Sequence, residues 1–131
     1  MRITTVLVHA FGTYTQKVNH ATQRIATHAP ARAAFARNVK EIVNHMKASP
    51  YTSDFDRRDI EARLEAFEQS PGVFTAGKVF EGVRNARASA ERGRAGIGPI
   101  CNPGSWNREV YTQYQRIIDS AHALKYAPWL K

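Results

Sequence analysis

Apolar residues recur along almost the whole chain at three- and four-residue intervals, the period of a helix with one buried face. Ile3, Leu7, Ala10, Tyr14, Val18, Ala21 and Ile25 form the first such stripe. It predicts one long helix, although Gly12 and the β-branched "ITTV" leave a short strand at the start open. Pro30 stands where a first helical turn accepts it. Phe35, Val39, Ile42 and Met46 then predict a second helix that ends before Ser49-Pro50. The third helix has Ile60, Leu64 and Phe67 as its stripe. Asp56 is its expected cap, Asp59 its first-turn acid, and Phe55 with Ile60 its hydrophobic staple. "SPG" at 70–72 ends it.

Thr75 is the expected cap of a fourth helix, and Ala76, Val79, Val83, Ala86 and Ala90 mark its buried face. Gly93 is the expected terminator. "GRAGIGPICNPG" at 93–104 reads as a loop, with four glycines and two prolines. Trp106, Val110, Tyr114, Ile117, Ala121 and Leu124 predict a fifth helix, closed by Pro128 at the latest. The fold class is therefore all-α: a single domain, residues 1–131, built as a bundle of about five helices.

Composition narrows the class further. Hydrophobic residues make up 43% and charged residues 23% of 131 residues, which is enough apolar matter for a core. The single cysteine, Cys101, excludes an internal disulfide and a cysteine-based metal cluster, and points to a reducing, intracellular compartment. No apolar run is long enough for a transmembrane span, and no secretory leader is expected.

Charge changes the picture most. The net charge is +8, and residues 1–40 hold six Lys or Arg and no acid. Residues 41–75 hold four bases and seven acids, and residues 76–131 nine bases and four acids. An acid-free arm suits an anionic partner. Three partners fit: phosphates, an anionic membrane surface, or the import machinery that reads basic amphipathic helices on the way into mitochondria. A basic, solvated helix face is the plain alternative.

Candidate chemistry is sparse. The glycine-rich stretch follows a helix rather than a strand and lacks a Gly-Lys-Ser/Thr sequence, so it does not read as a phosphate loop. The five histidines are scattered, and none stands in a His-Glu-x-x-His motif. The acids of the third helix read as a helix start and a solvated face. No catalytic residue, cofactor or metal is expected. The chain reads as a non-enzyme.

Nucleic acid is the alternative partner. The helices joined by "SPGVF" could form a helix-turn-helix, with Lys78, Arg84, Arg87, Arg92 and Arg94 as the DNA- or RNA-contacting bases. However, Glu68 and Lys78 stand where that motif needs a small and an apolar residue. A helical hairpin with a basic outer face is the better reading.

Residues 3–70 resemble the LYR-motif proteins. "LVH" (Leu7, Val8, His9) stands where their Leu-Tyr-Arg would be, "ARAAFARN" supplies Phe35 and Arg37, and "DRRDIEARLEAF" is similar to their third helix. The resemblance implies a small helical accessory subunit or assembly factor, mostly mitochondrial, whose basic helices bind an acyl carrier protein. The signature Tyr and Arg are here Val8 and His9, so no family site is carried over.

The leading expectation is a basic accessory subunit of a larger assembly, with a mitochondrial respiratory complex as one host. Arg2, Lys17, Arg24, Arg32, Arg37 and Lys40 would meet an acidic protein surface. Trp129, in the tail beyond Pro128, would anchor.

Overall fold

The computed structural model describes residues 20–49, 52, 54–97 and 106–124. The apolar stripe from Ile3 to Val18, the "LVH" tripeptide, Arg2, Lys17, Cys101, Trp129 and the side chain of Trp106 lie outside the described residues.

The described residues are helical nearly throughout, and no strand occurs among them. Helix α1 covers 20–27, and α2 runs Ala29–Ala48. Then come α3 (Asp54–Gln69), α4 (Val73–Ile97) and α5 (Trp106–Leu124). Helix α2 packs on α3, α3 on α4, α4 on α5, and α5 returns to α2, closing a ring of four helices. Lys40 meets Glu68 while Lys47 meets Glu61, so α2 and α3 run antiparallel. Short connections impose the same relation on α3 and α4.

The helical stripes are the core. Phe35, Val39, Ile42 and Met46 are buried, as are Ile60, Leu64, Phe67 and the five stripe residues of α4. Phe35 stands at the centre. Its ring lies edge-on to Phe67, with centroids 5.5 Å apart, and tilted against Phe80 at 5.2 Å. These rings come from α2, α3 and α4, so one aromatic cluster ties three helices together.

Helix α2 begins as its sequence predicts. Pro30 occupies the first turn, and the His28 ring nitrogen Nδ1 accepts from the Ala31 N–H at 3.4 Å. The extended backbone of Ser49 ends the helix.

Three boundaries differ from the sequence expectation. Helix α3 starts at Asp54, which places Asp56 inside the first turn rather than at the cap. Asp59 falls beyond that turn and pairs with Arg63. The staple does not form, because Phe55 is 76% exposed. Helix α4 starts at Val73, so Thr75 is already helical; its hydroxyl donates to the Ser70 and Gly72 carbonyls and ties down the turn. Finally, α4 continues through Gly93 to Ile97. Gly93 is a packing site instead of a stop: a Cβ there would lie 2.6 Å from Cζ of Tyr114. The missing side chain lets the α5 ring rest directly on α4.

Candidate partner-binding surface

Helix α2 holds four Lys or Arg and one acid, α3 three bases and six acids, and α4 five bases and two acids. The ring order therefore sets the acidic helix between two basic ones. Cross-helix pairs follow from this. Lys40 reaches Glu68 at 3.5 Å, Lys47 reaches Glu61 at 3.8 Å, and Arg63 reaches Glu81 of α4 at 3.5 Å. The acid-rich middle of the sequence is thus an internal counter-charge for its neighbours. These pairs are solvent-accessible, so water and salt screen them and each is weak.

Arg63 is the most connected of them. It holds Asp59 at 2.9 Å and donates to the Lys78 carbonyl at 2.9 Å. Its Cδ lies where a Cβ on Gly82 would come within 2.9 Å, so the glycine admits the arginine stem against α4. Lys78 and Arg63 together hold the Glu81 carboxyl below its ordinary range. Because the folded value is the lower one, the stabilising contribution is complete above the ordinary glutamate value and is lost as pH falls through the folded value. The stability gap between wild type and Glu81→Gln should therefore narrow in urea melts taken from neutral pH down to about pH 3. A gap that stays constant over that range would contradict the pairing.

The predicted arm residues separate into two groups. Arg32 serves the chain itself: its Nε and Nη2 donate to the Ile25 and Ala26 carbonyls at 3.1 and 3.0 Å, fastening the end of α1 to α2. Arg24 is partly buried, with its Nε enclosed. Arg37 and Lys40 face solvent, Lys40 with Glu68 beside it.

The alternative set on α4 is partly engaged. Lys78 pairs with Glu81, Arg87 with Glu91 at 2.9 Å, Arg92 with the Ser89 hydroxyl, and Arg94 with Gln115 of α5. Arg84 is exposed, with no hydrogen-bond or ion-pair partner among the described residues. The α3–α4 contacts run from the turn down to Ile60 beside Gly82, which makes the pair a lengthwise hairpin.

Sequence reasoning did not single out Arg58 or Arg116. Like Arg37 and Arg84, they are exposed and without a partner among the described residues. The four arginines lie on α3, α5, α2 and α4 respectively. Exposure of a base is legible only once its helix has neighbours on known sides.

Two open hollows lie along α2 and α3. One, of about 410 Å³, has Val43 and Leu64 as its apolar floor and Lys40, Lys47, Glu61 and Glu68 on its rim. The other, of about 340 Å³, lies at the α2–α3 corner beside Ser49, Thr52 and Arg57. Among the described residues, no group of three or more His, Cys, Asp or Glu is placed to hold a metal, and no helix is long and apolar enough to cross a membrane.

The fold and surface define an all-α bundle with basic charge on several sides. No protein-family model, curated protein or solved structure matches the chain.

Proposed function

We propose that this chain is a non-enzymatic helical interaction protein, an accessory subunit of a larger assembly, held there by an acidic protein surface. The observation that supports this most is the spread of its exposed arginines. Arg37, Arg58, Arg84 with Arg92, and Arg116 with Arg108 sit on four different helices. The two basic helices, α2 and α4, occupy opposite corners of the ring, with α3 and α5 between them. A duplex binder concentrates its bases on one continuous face or helix. A subunit set among several neighbours distributes them. The resemblance to LYR-motif proteins suggests a mitochondrial respiratory complex as the host.

Nucleic acid through α4 is the competing reading, and a salt titration against a random-sequence duplex separates the two. Binding is expected to be negligible at moderate salt. A log–log slope of several units, on the order of one per neutralised phosphate, with affinity surviving at physiological salt, would overturn the proposal and direct attention to Arg84 and Arg92. The subunit reading also requires the tagged chain to migrate in native extracts at the size of an assembly. It must shift to free chain when Arg37 and Lys40 are both replaced by glutamate.

A further inference from the structure

We propose that one end of the bundle docks on an anionic lipid surface. The antiparallel ring has two distinct ends. One gathers the start of α2, the last turn of α3 and the first turn of α4. At this end Ser70, Pro71 and Gly72 turn the chain, and Val73 and Phe74 follow at once as the opening residues of α4. Both are exposed, Phe74 to 75%. They stand at the apex of a hairpin, where a bilayer can accept an apolar tip without a matching pocket.

The charge around this apex fits the same partner. The Lys78 ammonium lies 5.4 Å from the centre of the Phe74 ring. Lys40 is fixed beside the last turn of α3 by Glu68, and Arg37 lies one helical turn nearer the apex. Arg32 fastens the end of α1 to the first turn of α2, so Arg24 and Arg32 also lie toward this end, both drawn into the chain's own packing. Glu65, Glu68 and Glu81 are the opposing acids in this region, and Glu68 and Glu81 are paired with Lys40 and Lys78. An apolar tip within a collar of bases is the arrangement by which a peripheral protein combines shallow insertion with attraction to acidic headgroups. This inference does not depend on the subunit reading.

The bundle carries its own control. Phe55 is equally exposed but opens α3, at the opposite end. The full chain, with Phe74→Ser and Phe55→Ser variants, is co-sedimented with phosphatidylcholine vesicles that contain or lack phosphatidylserine. Both variants should melt as wild type does, because neither ring belongs to the core. Binding is expected only with phosphatidylserine and should weaken as salt rises. Phe74→Ser should reduce it about tenfold, and Phe55→Ser should leave it unchanged. Absence of binding, indifference to phosphatidylserine, no effect of Phe74→Ser, or an equal loss in both variants would each overturn the proposal. The first of these outcomes would leave the apex to a protein partner.

Discussion

Replacing Phe35 with alanine is expected to cost about 3–5 kcal/mol of folding stability. The ring is fully buried and is shared by Phe67 and Phe80. Its removal leaves a void between three helices, and a void in a fixed frame loses contacts on every side. Domains of this kind are stable by only about 5–15 kcal/mol, so a large part of the total would go. Phe35→Leu keeps most of the volume and should cost clearly less. Urea melts with an unchanged slope would measure both. A cost below about 1 kcal/mol for the alanine variant would mean that the rings do not meet as described.

The second expectation concerns the sign of a change. Glycine inside a helix normally gains about 1 kcal/mol on replacement by alanine. At Gly93 the opposite is expected. The new methyl would lie 2.6 Å from Cζ, 2.8 Å from Cε1 and 2.9 Å from Oη of Tyr114. A ring packed across a helix seam cannot give way as the tip of a lysine could. Overpacking of this sort costs about 1–3 kcal/mol. In a Tyr114→Ala background the obstacle is gone, and Gly93→Ala should then stabilise. Thermal melts of the four proteins close the cycle. A gain on adding Gly93→Ala to the otherwise unchanged chain would show that α4 and α5 are not in contact there.

Both positions bear on how far the sequence could be read. Periodicity identifies the inward face of each helix, which is why Phe35, Ile60, Val79 and Ile117 are legible as core. It does not identify what each face meets. Phe80 and Ile118, on the flanks of their stripes, are buried because a neighbouring helix widens the apolar face. Gly93 carries a local signal for a stop, and the neighbour that overrides it lies in α5. Phe55 carries the signal of a staple, yet the helix begins earlier than its cap residue suggests, and the ring turns outward. The candidate surface follows the same logic. Arg37 and Lys40 are legible as bases in an acid-free stretch. The pairing of Lys40 with Glu68, and the commitment of Arg32 to the α1 carbonyls, depend on which elements the fold brings together.

The ring of helices also governs how the chain can reach its native state. Of its four seams, α2–α3, α3–α4 and α4–α5 join elements adjacent along the chain, and only α2–α5 joins distant ones. Neighbouring helices can pair by closing short loops, at small entropic cost, and each hairpin then presents a ready surface to the next. The long-range search is concentrated in one event, the return of α5 to α2. Until that event, the flank of α2 that α5 covers stays open to water, so α5 is the closing element of the ring and its detachment the simplest route to partial unfolding of the described helices.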